Sequence, residues 1–129
     1  MANLTEDRVT DELASQAMFN SDPIAAATQV YKGAMAGLDA AGNIVPAAPA
    51  TPVMRGVVTE GVDNSGGIAG ALNVSTKKGV FRFNQTGLDR TNIGEDVFVV
   101  DDNTVGAAGT LVAGRLEQID AAGAWVKIA

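Results

Sequence analysis

Residues able to carry chemistry are sparse in this chain. It contains no His and no Cys, which removes the commonest general base, the commonest neutral metal ligand and the thiolate nucleophile. Asp101-Asp102-Asn103 is the nearest approach to a calcium loop, but the spaced ligands and distal Glu of an EF-hand are missing. Composition permits a hydrolase with two carboxylates, although no spacing places two acids in one cleft. We therefore expect no enzyme, no metal and no cofactor.

A basic stretch is the first candidate for binding. Residues 73–84 read NVSTKKGVFRFN, two alternating runs with Lys77-Lys78-Gly79 between them. This pattern predicts a β-hairpin with a basic tip. Phe81 and Phe83 share one face, which predicts core, and Arg82 faces the other way with the tip lysines. Lys77, Lys78 and Arg82 then either stay solvated or dock on an acidic partner surface.

The N-terminal segment differs from the rest of the chain. Residues 1–22 hold five acids against one base, Arg8, and their apolar spacing fits neither a helical stripe nor a strand. One or two helical turns over residues 10–17 are compatible with the sequence, as is a frayed terminus. We predict an arm over residues 1–22 that acts as a strap on a neighbouring subunit. Its predicted anchors are Leu4, Val9, Leu13, Met18 and Phe19.

The overall composition limits the classes of partner. The formal net charge is −6 and the isoelectric point is about 4.4. The nine Lys and Arg are spread along the chain, so no basic face for a nucleic-acid backbone is expected. No apolar run approaches the length of a membrane span. The lack of Cys suits synthesis in a reducing compartment.

From Ile24 onwards the sequence favours strands. Short apolar runs are separated by Gly, Asp, Asn and Pro at near-regular intervals, which predicts one mainly β domain over residues 23–129, a small β-sandwich or β-barrel. The tetrapeptide Asp-Ala-Ala-Gly occurs at 39–42 and at 120–123, and predicts two hairpins with the same turn geometry. Trp125 is expected either at one end of the core or in an interface.

Five stretches resemble small proteins encoded beside the major capsid protein of tailed bacteriophages, the decoration or cement proteins. The resemblance covers about residues 8–128 and rests on the order of these stretches: 24–42 (IAAATQVYKGAMAGLDAAG), 55–58 (RGVV), 78–83 (KGVFRF), 97–105 (VFVVDDNTV) and 125–128 (WVKI).

The resemblance implies a β-rich, non-catalytic virion protein. Such a protein binds the outer capsid surface after assembly in the host cytoplasm and bridges neighbouring subunits of the major capsid protein, as a homo-oligomer in which a trimer is favoured over a dimer. No membrane or nucleic-acid partner is implied. Another virion component, such as a tail-tube or fibre protein, is the alternative. A free carbohydrate-binding module is disfavoured by the low aromatic content of 5%.

Overall fold

The computed structural model describes residue 6 and residues 18–129. This part of the chain is mainly β, as predicted, with one short 3-10 turn at Arg90–Asn92. The strands are β1 (Phe19–Pro23), β2 (Thr28–Val30), β3 (Met35–Leu38), β4 (Ile44–Pro46), β5 (Val53–Val58), β6 (Val62–Asn64), β7 (Asn73–Lys77), β8 (Gly79–Thr86), β9 (Asp96–Asp101), β10 (Thr104–Gly106), β11 (Val112–Asp120) and β12 (Gly123–Ile128).

The strands form an open sheet, a closed barrel and a two-stranded ribbon. The open sheet has the order β1-β7-β5-β3-β4 and the ribbon pairs β2 with β6. The barrel has the order β10-β8-β12-β11-β9, closed by a parallel pairing of β8 with β10. Closure leaves no free strand edge on the barrel, whereas β1 lies at one end of the open sheet.

Two neighbouring strands of the open sheet contribute to two hydrophobic cores. Because side chains alternate along a strand, Met35 of β3 and Val57 of β5 join the barrel core, while Ala36 and Val58 join a second core. This second core also contains Ile24, Val30, Ile44 and Val74. The open sheet is thus packed on both faces, which joins the barrel and the ribbon into one body.

The barrel core holds the aromatic residue that the sequence predicts for it. Phe83 is 5% exposed and lies among the buried aliphatic side chains of the barrel. Phe81 is on the same face but half-buried, with its ring centroid 6.5 Å from that of Phe83. Val80 and Arg82 are exposed on the opposite face. The predicted alternation along this strand is confirmed.

The predicted hairpin between β7 and β8 is wrong. Strand β7 pairs with β1 and β5 in the open sheet, and β8 pairs with β12 and β10 in the barrel. Lys78 alone separates the two strands. The commonest tight hairpin loops need two residues to reverse the chain, so a single linking residue carries the chain onward from the sheet into the barrel. The basic hairpin tip therefore does not exist.

The predicted division between an arm at 1–22 and a domain at 23–129 falls inside β1. Residues 19–23 pair with β7 in regular antiparallel register. Asp22 also accepts hydrogen bonds from Arg55 of β5, with Nε–Oδ2 at 2.8 Å. Residues 19–22 are therefore part of the sheet, because both their backbone and a side chain are bonded to it. Except for Glu6, the remaining residues of the predicted arm up to residue 17 lie outside the described part.

Both Asp-Ala-Ala-Gly stretches join paired strands, as predicted, but their turns differ. The first lies in a loop of five residues between the paired Leu38 and Ile44. The second leaves only two residues between the paired Asp120 and Gly123. The expectation of one shared turn geometry is wrong, because the pairing of the flanking strands sets the loop length.

Candidate interaction surfaces

The described residues contain no group of three or more acidic, His or Cys side chains that could hold a metal ion. At the Asp101-Asp102-Asn103 stretch, one Asp101 carboxylate oxygen accepts the backbone N–H of Asn103 at 2.9 Å. This contact closes the turn between β9 and β10. Asp101 therefore has a local structural role in this turn.

The first surface is a shallow groove of about 320 Å³ where the open sheet meets the barrel. We call it the Lys77 groove. Its floor is apolar and Lys32 and Lys77 contribute its cations, while no acidic side chain of the described residues lines it. The lining residues are Lys32, Gly33, Val57, Val58, Thr59, Lys77 and Phe81.

Strand pairing builds this groove from three distant parts of the chain. Val57 of β5 pairs with Lys77 of β7. The backbone N–H of Gly33 donates to the carbonyl of Val58 at 2.9 Å, which brings Lys32 to the same place. Phe81 enters from the barrel, beyond the Lys78 link. The groove is therefore held by backbone hydrogen bonds rather than by a mobile loop.

Exposed aromatic side chains lie beside the groove. Phe19 is 66% exposed, and the ammonium of Lys77 lies 5.3 Å from its ring centroid, within cation–π range. Tyr31 is 62% exposed and lines an adjoining depression with Lys32. Lys32 and Lys77 form no salt bridge with an acid of the described residues. Aromatic side chains are enriched at interface centres, since burying them removes large apolar areas from water.

The second surface lies on the outer side of the barrel, where β8 pairs with β12. We call it the outer barrel face, formed by Val80, Arg82, Trp125 and Lys127, which are paired in register as Val80–Lys127 and Arg82–Trp125. The guanidinium of Arg82 lies 5.6 Å from the centroid of the Trp125 ring. Trp125 therefore belongs to the outer surface and is not packed into an end of the core.

Hydrogen bonding fixes the orientation of that tryptophan. The indole Nε1–H of Trp125 donates to Oδ2 of Asp120 at 3.1 Å. This hydrogen bond, with backbone donors from Ala122 and Gly123 and the charge of Arg82, holds the pKa of Asp120 below its ordinary value of 3.8. Asp120 is consequently ionised at neutral pH and keeps the indole in place beside Arg82.

The predicted binding residues fall into three groups. Leu4, Arg8, Val9 and Leu13 lie outside the described residues. Met18, Phe19, Lys77 and Lys78 meet at the start of β1, where the Lys78 N–H donates to the Met18 carbonyl. Arg82 is separate from them, on the outer barrel face.

The sequence did not predict Lys32 in the groove, Tyr31 beside it, or Lys127 on the outer barrel face as binding residues. The alternation of Trp125 with Lys127 is a signal that could have placed both outside. Nothing local in the sequence connects Lys32 with Lys77, because β5 intervenes between them.

The chain matches no protein-family model, no curated protein and no solved structure. Among the described residues, no helix is long and apolar enough to cross a membrane.

Proposed function

We propose that this protein is a structural, non-enzymatic component of a tailed-phage virion that binds the outside of the capsid and holds neighbouring capsid subunits together. The resemblance of stretches such as 24–42 and 97–105 to decoration proteins supports the proposal. On this proposal the partner is the major capsid protein, and the decoration protein acts as a homo-oligomer, a trimer rather than a dimer.

The observation that carries the proposal is the pair of exposed surfaces on one packed body. The chain has a net charge of −6, and yet four of its nine Lys and Arg side chains lie on these two surfaces. Lys32 and Lys77 line the groove, and Arg82 and Lys127 flank Trp125. Phe81 faces the groove, whereas Arg82, its neighbour on β8, points to the other side. Two separate surfaces let one rigid body contact two neighbours.

Bridging is favoured by this arrangement for an energetic reason. Several weak contacts that engage together give much tighter attachment than any one alone, provided that geometry permits all of them at once. The double-sided packing of the open sheet fixes the relative position of the groove and the outer barrel face. A cement protein has to resist separation of shell subunits, and a rigid two-surface body meets that need without any chemical step.

The test is attachment to virus particles prepared without this protein. We assign capsid contact to the outer barrel face, so Arg82→Glu should weaken attachment about tenfold, which corresponds to about 1.4 kcal/mol. Arg90→Glu is the matched control, because Arg90 is also exposed but lies on the 3-10 turn. Attachment of the unmodified chain should weaken as salt rises, since exposed charges are screened over about 10 Å at 0.1 M.

Equal attachment of the two variants, independent of salt, would contradict the assignment of Arg82 to capsid contact. Attachment to isolated tails in place of heads would contradict the capsid role itself. It would favour the tail-tube or fibre component.

A further inference from the structure

We infer that the Lys77 groove receives the N-terminal segment, residues 1–17, of a second copy of this chain. This inference names the occupant of one surface within the assembly proposed above, and it rests on that proposal for the setting in which several copies meet. Charge, apolar content and the path of the chain all point to this occupant.

The groove and the segment are complementary in charge. The groove carries Lys32 and Lys77 with no acidic lining residue in the described part of the chain. Residues 1–17 contain four acids, Glu6, Asp7, Asp11 and Glu12, and one base. Opposite charges steer association and fix the direction in which a peptide lies in a groove. The acidic segment therefore suits this groove better than the more evenly charged remainder of the chain.

The groove and the segment are also complementary in apolar content. The floor of the groove is formed by Val57, Val58 and Phe81, and Phe81 is only half-buried. Leu13 directly follows Asp11 and Glu12, so it offers an apolar side chain next to two negative charges. An apolar floor beside two lysines is complementary to that combination. Burying Leu13 on Phe81 would remove apolar surface on both sides from water.

The path of the chain favours a neighbour's groove over the chain's own. Phe19 starts β1 beside Lys77, and the Met18 carbonyl is bonded to Lys78, so the chain enters the sheet at the groove's margin. To enter its own groove, the segment would have to reverse sharply just before Met18. Of the residues that favour tight turns, residues 12–17 contain only Ser15, the weakest turn former of the set, and no Gly, Pro, Asn or Asp.

The segment is long enough to reach a neighbour. Fully extended, residues 1–17 span up to about 60 Å, whereas a domain of this size has a radius of gyration of about 13 Å. Each copy would then give one segment and receive one. Such a head-to-tail exchange closes into a ring when the rotation between copies allows it, which agrees with the proposed trimer.

Because the chain contains no Cys, introduced Cys residues are the only thiols that can form a disulfide in a cross-linking test. Leu13→Cys in one full-length protein and Thr59→Cys in a second, mass-tagged one are mixed under mild oxidation. We expect a disulfide-linked product that contains both proteins, since Thr59 lines the groove. Ala121→Cys replaces Thr59→Cys in the control. Ala121 is exposed on the turn between β11 and β12, close to the end of β8 that is far from the groove. Lys77→Glu added to the Thr59→Cys protein should lower the yield several-fold, and Lys127→Glu should not.

Three results would overturn the inference. The first is no cross-link, and the second is an equal cross-link to Ala121→Cys. The third comes from a separate protein that carries both Leu13→Cys and Thr59→Cys, and it is a bond formed only within one chain. Failure here is distinguishable from failure of the proposed function. Loss of the cross-link with intact, salt-dependent attachment to heads refutes the groove occupant alone. A strong cross-link with no attachment to heads refutes the capsid role alone.

Discussion

Replacing Phe83 by Ala tests the assignment of faces along β8. Phe83 is 5% exposed within the barrel core. A buried Phe→Ala change costs about 3–5 kcal/mol, because it loses transfer free energy and leaves a cavity. The closed barrel limits the relaxation that would fill such a cavity. Since whole domains are stable by about 5–15 kcal/mol, this one change should remove a large part of the stability.

Phe81→Ala and Val80→Ala are the graded controls. Phe81 is half-buried, so its truncation should cost about 1–2 kcal/mol. Val80 is 48% exposed on the other face, and its truncation should cost less than about 1 kcal/mol. The structure thus predicts a decreasing series of costs from Phe83 through Phe81 to Val80.

Urea unfolding measures the three free energies. With a slope of about 1.5 kcal/mol per molar, the Phe83→Ala midpoint should fall by about 2–3 M. The slope itself should stay constant, because the surface exposed on unfolding changes little. An unchanged midpoint for Phe83→Ala, or a larger loss for Val80→Ala than for Phe83→Ala, would show that the faces of β8 are assigned backwards.

Three further predictions concern the start of the chain, the barrel and the outer barrel face. At a concentration low enough for the protein to be monomeric, deleting residues 1–17 should leave the thermal midpoint nearly unchanged, because no neighbour's groove is then occupied. Deleting residues 1–22 should lower the midpoint, because the longer deletion removes most of β1. Gly114→Ala should lower the free energy of unfolding, measured in urea, by about 1–3 kcal/mol, since the added Cβ would overlap a backbone carbonyl of β12. Gly66→Ala is the control and should leave the stability unchanged, because the added Cβ would lie in open space. In acid titration, the fluorescence of the single Trp should change with a midpoint below pH 3.8, because the pKa of Asp120 is lowered. The stabilising hydrogen bond between the indole and the carboxylate should be lost only as the pH falls through that midpoint.

The mainly β fold and the strand faces could be predicted from sequence because they follow from local alternation. Phe83 inward and Arg82 outward are consequences of period two, and they hold whichever strand lies alongside. Which strand pairs with which does not follow from local alternation. Gly79 pairs with Ile128 and Lys77 with Phe19, and these contacts between distant residues leave no local trace. Local alternation therefore predicts a hairpin between adjacent strands at a point where the chain passes from the open sheet into the barrel.

The groove was unpredictable for the same reason. Lys32 and Lys77 line one groove only because β5 connects them: Gly33 is bonded to Val58, and Val57 pairs with Lys77. The two Asp-Ala-Ala-Gly stretches also show that local sequence does not determine loop length, since the same tetrapeptide occurs in loops of two lengths. The pairing of Leu38 with Ile44 and of Asp120 with Gly123 decides them. Local sequence indicated where the chain turns, and the strand register set how tightly.

The central claim is that this protein decorates the outside of a phage capsid. A cryo-electron microscopy reconstruction of the particles of the virus that encodes the chain tests it most directly. We expect density that fits the barrel and open sheet on the outer shell surface, bridging capsid subunits, with the outer barrel face towards the shell and copies at every equivalent position. Density confined to the tail, or none anywhere on the particle, would contradict the claim.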